Sequence, residues 1–316
     1  MKCKVAFIGA GYMATEHLKA FNGIASVELA GIYSRTRSRA EQLAEHYGIQ
    51  QVFDSIVDLY NQTKADLVVI SVPELAAREV ATIAFQFPWI CLFEKPAGFN
   101  VEDAEEIIKV QRQFSAKAFV ALNRRHYGST RAVLASLKKT HGPRLIQVLD
   151  QEDTAAALAL GHPELVVQNW MYANSIHLID YFQIFCRGSL INIENIIPWD
   201  PKDPFLIMSK LTYDSGDIGI YQAVWNAPGP WSVVVSTTEK RFEMRPVESA
   251  FEQIYGKRVL EPLPVDERDN LFKPGIREQA ELAVKAVLEK NVPVKLPTLD
   301  EALTVMKITR KIYFNG

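Results

Sequence analysis

The first 123 residues alternate short apolar runs with amphipathic stretches, and this alternation limits the possible folds more than any other feature. The apolar runs, rich in Val, Ile and Phe, are Val5–Ile8, Val27–Ile32, Leu67–Val72, Trp89–Phe93 and Phe119–Leu122. Such runs are typical of strands buried on both faces of a parallel sheet. The stretches between them have helical spacing: Thr15–Phe21, Arg37–Tyr47, Leu75–Phe85 and Val101–Phe114. The alternation predicts an α/β domain with a doubly wound parallel sheet over residues 1–123.

The pattern changes near Arg144, where strand-like runs follow one another directly. These runs are Leu145–Leu149, Leu190–Ile197, Ile207–Tyr213, Ile218–Trp225, Ser232–Ser236 and Arg241–Met244. Short connections such as Asp214-Ser215-Gly216-Asp217 indicate hairpins. Helices are expected over Ser175–Phe185, Arg277–Glu289 and Asp300–Tyr313. Residues 124–316 are therefore predicted to form an α+β domain with an open, mostly antiparallel sheet.

A glycine-rich turn separates the first predicted strand from the first helix. Its sequence is Gly9-Ala10-Gly11-Tyr12-Met13-Ala14. Gly9 permits the tight turn, Gly11 lets a pyrophosphate approach the backbone, and Ala14 is small enough for the helix to pack on the strand. The helix N-terminus also favours the negative charge of the phosphates. In this context the turn predicts a Rossmann dinucleotide-binding domain rather than a plain strand-to-helix connection.

The end of the second strand indicates which dinucleotide is bound. An NAD-binding domain usually carries Asp or Glu about 20 residues after the turn. This chain has no carboxylate there and instead has Tyr33-Ser34-Arg35-Thr36-Arg37-Ser38-Arg39. Hydroxyl and guanidinium groups can hold a 2′-phosphate by charge-assisted hydrogen bonds. We therefore expect NADP(H) rather than NAD(H), with Ser34, Arg35, Thr36 and Arg39 as binding residues.

Composition excludes several other classes of protein. The 35 basic and 37 acidic residues give a net charge of −2, whereas nucleic-acid-binding proteins usually have a basic excess. No apolar run approaches the roughly 18 residues of a membrane span. The three cysteines are far apart, which argues against disulfides and a thiolate metal site. We expect a cytoplasmic protein with no metal, membrane or nucleic-acid partner.

Four short motifs occur in a characteristic order. They are Gly9-x-Gly11-x-x-Ala14, Glu94-Lys95-Pro96, Asn123-Arg124-Arg125 and Ser175-Ile176-His177-Leu178-Ile179-Asp180. Together they resemble the glucose–fructose oxidoreductase/inositol dehydrogenase family (Gfo/Idh/MocA), over nearly the whole chain. The resemblance implies a Rossmann domain and an open-sheet domain with the substrate between them. It also implies hydride transfer between nicotinamide and a carbinol carbon of a sugar, cyclitol or nucleotide sugar.

The resemblance also implies roles for particular residues. Lys95 would bind the reacting hydroxyl and stabilise charge on its oxygen, and His177 would be the general acid/base. Both roles suit the chemistry, because the hydroxyl proton must leave and an oxyanion must be stabilised. Asn123 would lie near the nicotinamide and the substrate. Residues implied for the cofactor site also include Tyr12, Met13, Val72, Pro73 and Glu94.

The sequence departs from the family pattern beside the histidine. Four residues before His177 the family commonly carries Asp, whereas this chain has Ala173 followed by Asn174. Asn174 can form hydrogen bonds but carries no charge, and we assign it to the substrate site. Arg124 and Arg125 would either meet an anionic substrate group or cap the junction between the domains. Glu152-Asp153 is expected to be a solvated acidic pair.

These observations predict an NADP(H)-dependent oxidoreductase acting on a secondary alcohol or ketone of a sugar-like small molecule. One alternative is a redox-neutral lyase or epimerase that keeps its dinucleotide tightly bound. Another is a non-catalytic dinucleotide-binding regulator, since a fold does not determine function. A homodimer or homotetramer formed through the sheet of the second domain is expected, because an exposed sheet face is a natural association surface.

Overall fold

The computed structural model describes residues 2–289 and 292–314. The chain divides into two compact units, which are considered separately. The first consists of Met1–Asn123 and Asn270–Leu303, and the second of Arg124–Asp269 and Thr304–Gly316. Within the described ranges, no helix has the length and apolar character needed to cross a membrane.

A six-stranded parallel sheet forms the centre of the first unit. Its strands are β1 (Cys3–Ile8), β2 (Val27–Tyr33), β3 (Val52–Phe53), β4 (Leu67–Ile70), β5 (Ile90–Phe93) and β6 (Ala118–Val120). They lie in the order β3-β2-β1-β4-β5-β6, and every neighbouring pair is parallel. The chain reverses direction across the sheet between β1 and β4, which makes a topological switch point. The predicted doubly wound sheet is confirmed.

Helices cover both faces of this sheet. They are α1 (Tyr12–Phe21), α2 (Arg37–Tyr47), α3 (Ile56–Thr63), α4 (Ala77–Ala84) and α5 (Val101–Gln113). Val5 and Phe7 of β1 belong to one buried apolar cluster, whereas Ala6 and Ile8 belong to another. Because successive strand residues point to opposite faces, the continuous apolar run of β1 supplies both cores.

An eight-stranded sheet forms the second unit. Its strands are β7 (Leu145–Glu152), β8 (Leu190–Ile197), β9 (Leu206–Tyr213), β10 (Ile218–Trp225), β11 (Ser232–Ser236), β12 (Lys240–Met244), β13 (Phe251–Ile254) and β14 (Glu261–Pro262). Their order is β14-β13-β12-β11-β7-β10-β9-β8. The pair β7–β10 is parallel and the other pairs are antiparallel. The prediction of an open, mostly antiparallel sheet is confirmed.

One long helix packs against a face of this second sheet. The helices that begin in the second unit are α6 (Gly128–Leu137), α7 (Thr154–Ala159), α8 (Glu164–Gln168), α9 (Ile176–Phe185) and α10 (Arg268–Leu271). A π-helical segment at Met171–Ser175, called the π-turn below, leads directly into α9, which contacts β7 and β11. Gly219 of β10 allows close approach, since a Cβ there would lie 2.7 Å from Cε1 of Phe182.

The chain returns to the first unit near its C-terminal end. The last helices are α11 (Ile276–Leu288) and α12 (Leu299–Phe314). Ile276 of α11 joins the same buried cluster as Val5 and Phe7. The N–H of Val120 donates to the carbonyl of Pro297 at 2.8 Å. The predicted boundary after residue 123 coincides with the division between the units, but residues 270–303 depart from the predicted continuous second domain of residues 124–316.

Candidate cofactor site and active site

The two glycines of the turn after β1 have different surroundings. Gly9 has a φ of +109°, and a Cβ there would lie 1.8 Å from the carbonyl oxygen of Ser71. A Cβ on Gly11 would meet no atom within 4 Å and would project into open space. Gly9 is therefore required by the fold, whereas Gly11 leaves room beside the backbone. The arrangement fits a pyrophosphate at the N-terminus of α1.

Most predicted cofactor-binding residues follow the carboxyl ends of the parallel strands. Ser34 follows β2, Val72 and Pro73 follow β4, Glu94 and Lys95 follow β5, and Asn123 lies beyond β6. Parallel strands end at one edge of a sheet, and ligands of such folds bind outside that edge. Tyr12 and Met13 lie in the first turn of α1. The fold thus brings together residues that are far apart in the sequence.

The three arginines after β2 differ in their contacts. The Nε atom of Arg37 lies 2.8 Å from Oε1 of Glu41, and its Nη1 atom pairs with Asp54. Arg35 and Arg39 are exposed, and neither side chain contacts a partner among the residues that the structure describes. Two guanidinium groups at this strand end are therefore available to an anion.

His17 holds the carboxylate that precedes Lys95. The Nε2 atom of His17 lies 2.7 Å from Oε1 of Glu94, and both side chains are buried. The other carboxylate oxygen accepts the backbone N–H of Lys95 at 3.1 Å. Glu94 therefore fixes the start of the Lys95 segment to helix α1. Sequence spacing did not reveal His17, although it follows Ala14 by three residues on the buried face of that helix.

Asn123 is buried at the end of the first segment of this unit. Its Nδ2 atom donates to the carbonyl oxygen of Pro274 at 3.1 Å. Pro274 belongs to the C-terminal segment that returns to the first unit. Asn123 thus has a structural contact in addition to the cofactor-side role predicted for it.

In the second unit, His177 lies in the first turn of α9 and Ala173 lies in the π-turn before it. Asn174 donates from Nδ2 to Oε2 of Glu152, and Ser175 donates from Oγ to Oε1, both at 2.9 Å. Glu152 is 1% exposed, so the expectation of a solvated Glu152-Asp153 pair is wrong for Glu152. The reason is its inward position at the end of β7, which alternation along the strand would have indicated.

The two arginines after Asn123 have separate surroundings in the second unit. Arg125 forms a two-pronged ion pair with Asp180 of α9, at 2.8 and 2.7 Å. Arg124 is buried, with its guanidinium carbon 4.7 Å from the centre of the Trp231 ring. Its Nη1 atom has no hydrogen-bond partner among the described residues.

Residues 3–122 match a family model described as "Oxidoreductase family, NAD-binding Rossmann fold" (GFO_IDH_MocA). Over this segment the chain is similar to the Rossmann domain of the Gfo/Idh/MocA oxidoreductase family. The match begins at β1 and extends just past β6. It confirms the resemblance to this family over the segment that contains the first two of the four motifs.

Curated relatives match the same part of the chain. Glucose-6-phosphate 3-dehydrogenase of Bacillus subtilis (strain 168) is 26% identical over 123 residues, which are 39% of this chain and 34% of the relative. The scyllo-inositol 2-dehydrogenase (NADP(+)) IolU of the same organism is 25% identical over 109 residues, which are 34% and 33% of the two chains. The chain therefore spans only about a third of the length of these relatives, both of which are named as dehydrogenases.

Solved structures match a larger part of the chain. UDP-N-acetylglucosamine 3-dehydrogenase GnnA from Acidithiobacillus ferrooxidans superposes with a TM-score of 0.79 and 16% identity. The superposition covers 99% of this chain and 97% of that one. At this identity the similarity shows the fold alone.

Proposed function

We propose that this chain is an NADP(H)-dependent oxidoreductase that transfers a hydride between nicotinamide and a secondary alcohol, or the matching ketone, of a sugar-like small molecule. The observation that carries the proposal is that Lys95 follows β5 at the sheet edge where the glycine turn follows β1. Ligands of such sheets bind outside this edge. An ammonium group there suits a reaction in which charge develops on an oxygen atom.

The cofactor would be held mainly by the residues of the glycine turn and by the basic stretch after β2. Gly9, Gly11 and the first turn of α1 would hold the pyrophosphate. Arg35 and Arg39 would hold a 2′-phosphate, since neither guanidinium has another partner among the described residues. Bound NADP(H) would supply or accept the hydride. Ser34 and Thr36 would add hydrogen bonds.

Lys95 and His177 would be the catalytic residues. Lys95 would stabilise negative charge on the substrate oxygen, and His177 would take up or return the hydroxyl proton. Asn123 would lie on the nicotinamide side of the site. Arg124 and Asn174 would contact the substrate, in keeping with the unpartnered Nη1 atom of Arg124.

The substrate would be a sugar, a cyclitol or a nucleotide sugar. The names of the relatives support this class, since they act on glucose 6-phosphate and scyllo-inositol. The fold neighbour named above acts on a nucleotide sugar by its name. A buried guanidinium such as that of Arg124 suits a substrate with an anionic group.

The working form would be a homodimer or homotetramer joined through the eight-stranded sheet. On β10, Ile220 and Val224 are half-buried and alternate with the buried Tyr221 and Trp225. This second face is partly exposed and also carries Gln222 and, beside Ile220, Lys210 and Gln147. A second copy would cover it.

A hydride-transfer assay tests the proposed activity. The chain would be mixed with NADP+ and a panel of sugar phosphates, inositols and UDP-sugars, and nicotinamide absorbance followed. We expect turnover with at least one secondary alcohol. Lys95→Ala should reduce kcat roughly 100- to 1,000-fold while NADPH still binds.

The control is Lys117→Ala, which removes an exposed lysine just before β6. Kinetics of this variant should equal those of the unmodified chain. Equal turnover by the Lys95→Ala variant would contradict the role of Lys95. Conversion of substrate without net change in nicotinamide absorbance would instead indicate a redox-neutral reaction.

A further inference from the structure

Two acidic side chains are buried together on β7. Asp150 is 2% exposed and Glu152 is 1% exposed. Residues two apart on a strand share a face of the sheet, so both carboxyl groups lie on the side that packs against α9. A buried carboxylate is costly unless it is paired or protonated.

A continuous line of oxygen contacts joins the two carboxyl groups. The hydroxyl group of Tyr221 lies 2.7 Å from Oδ2 of Asp150 and 2.8 Å from the hydroxyl group of Tyr313. The Tyr313 hydroxyl group lies 3.3 Å from Oγ of Ser175, which lies 2.9 Å from Oε1 of Glu152. Three hydroxyl groups thus connect one acid to the other.

The number of hydrogen atoms available to these contacts depends on whether Asp150 and Glu152 are both ionised. Four contacts join the five groups, but Ser175, Tyr221 and Tyr313 carry only three hydroxyl hydrogens. If both acids were ionised, one contact would have no hydrogen. One additional proton, placed on Asp150 or Glu152, gives each contact one hydrogen and makes all four hydrogen bonds.

The local charges also indicate one additional proton on the pair of acids. The Arg124 guanidinium acts on Asp150 as a positive charge, so two ionised acids would leave one negative charge uncompensated. Burial raises the pKa of both carboxyl groups, and repulsion from Asp150 raises that of Glu152 further. One proton on the pair makes this group of three side chains neutral.

Other titratable groups also lie on the packed elements. They include Tyr172 of the π-turn, His177, Asp180 and Tyr181 of α9, Tyr221 of β10, and Lys307, Arg310, Lys311 and Tyr313 of α12. Asp180 is ion-paired with Arg125. Burial raises the pKa of Tyr181, Tyr221 and Tyr313, so these three remain neutral.

We propose that Asp150 and Glu152 share one proton at neutral pH through a relay of three hydroxyl groups. With the proton on Asp150, that carboxyl group donates to Tyr221, and Tyr221 donates to Tyr313. Tyr313 then donates to Ser175, and Ser175 donates to the Glu152 carboxylate. Moving each of the four protons one oxygen along places the proton on Glu152. Only O–H bonds form and break, and the charge of the pair stays at −1.

The relay ends at the segment that precedes His177. Glu152 accepts hydrogen bonds from Asn174 and Ser175 of the π-turn, and short π-helical segments next to α-helices are frequent at functional sites. Glu152 is thus a positioning residue, because its carboxyl group on β7 holds this turn. Position 173 of the turn is Ala and supplies no carboxyl group of its own. The role of Glu152 in positioning His177 for catalysis rests on the proposed function, whereas the shared proton does not.

Infrared spectroscopy of the full chain tests the shared proton without substrate or cofactor. A protonated carboxyl group gives a C=O band that is separate from carboxylate and amide bands and shifts in D₂O. The unmodified chain should show one such buried group at pH 7. Asp150→Asn and Glu152→Gln should each lose it, since the repulsion between the two acids that favours the additional proton is then removed.

The matched control is Asp217→Asn. Asp217 is also a buried carboxyl group of the second unit, but hydrogen bonds from Arg187 hold its pKa below the usual value against the effect of burial. The band should therefore remain in this variant. Tyr313→Phe, which removes one hydroxyl group from the relay, should shift the band and is the milder test if the acid variants fail to fold.

Three results would overturn the proposal. They are no protonated carboxyl band at pH 7 in the unmodified chain, a band that persists in both acid variants, and a band unmoved by Tyr313→Phe. Inactivity of the chain toward every alcohol, with the band behaving as expected, would instead count against the proposed function alone.

Discussion

Gly9 and Gly11 stand two positions apart in one turn, but a methyl group would meet different surroundings at each. At Gly9 the new Cβ would collide with the Ser71 carbonyl oxygen, and the positive φ disfavours any side chain. Gly9→Ala should therefore lower the free energy of unfolding by about 2 kcal/mol or more. Gly11→Ala should leave stability nearly unchanged but weaken NADPH binding, because its methyl group occupies the space beside the backbone. Urea unfolding and fluorescence titration of both variants measure these effects.

The comparison between the two variants provides its own control. Unchanged NADPH affinity in Gly11→Ala would show that no phosphate approaches this turn. Unchanged stability in Gly9→Ala would contradict the contact with Ser71.

At the residue level, the sequence indicated contacts within a motif but not contacts between distant segments. The glycine turn could be predicted because its spacing and its position after a strand carry the physical reason. His17 and Glu94 are 77 positions apart, and no local spacing links them. Arg35 and Arg37 also look alike in sequence, although only Arg37 is held by Glu41 and Asp54.

At the element level, segments with a clear apolar pattern were predictable, including the five-residue strand β11, whereas segments without such a pattern were not. Strands β8 and β10 and helix α2 have the predicted bounds. Strand β3 is only two residues long, so it leaves no apolar pattern. Helix α3 did carry a signal, since Ser55 Oγ accepts the N–H of Asp58 at its start. Helix α6 begins Gly-Ser-Thr, which propensity disfavours, and tertiary contacts decide its existence.

Residues 270–303 show why the domain division could not be read from order along the chain. Strand-rich sequence precedes this segment, which suggested that it continues the second domain. The apolar face of α11, including Ile276, Ala280 and Ala283, instead completes the core around β1. Amphipathicity predicts that such a face is buried, but not which sheet buries it.

The partly exposed face of the eight-stranded sheet leads to a prediction about assembly. Ile220 points away from the face occupied by Tyr221, because neighbouring strand residues alternate. A charge at this position would be buried in an interface between copies. Ile220→Asp should therefore convert a dimer or tetramer to monomer, as measured by light scattering after size-exclusion chromatography.

Val57→Asp is the control, since Val57 is an exposed apolar residue on α3 of the first unit. It should leave the assembly unchanged. A monomeric unmodified chain, or an Ile220→Asp variant of unchanged mass, would contradict association through this face.

For the whole molecule, the sequence predicted two units of different architecture, and the structure contains both. The first unit holds the glycine turn, Arg35, Arg39 and Lys95. The second holds His177, with its π-turn anchored to Glu152. The proposed activity requires the first unit to bind a nicotinamide dinucleotide, and this binding is open to direct measurement.

The most direct test is a fluorescence titration of the full chain with NADPH and with NADH. We expect NADPH to bind more tightly. Arg35→Ala should weaken NADPH binding roughly 10- to 100-fold, the effect of losing hydrogen bonds to a charged group, and leave NADH binding unchanged. Arg37→Ala should alter neither affinity, since Arg37 is held by Glu41 and Asp54. Tighter binding of NADH, equal effects of the two variants, or no binding of either dinucleotide would contradict the account.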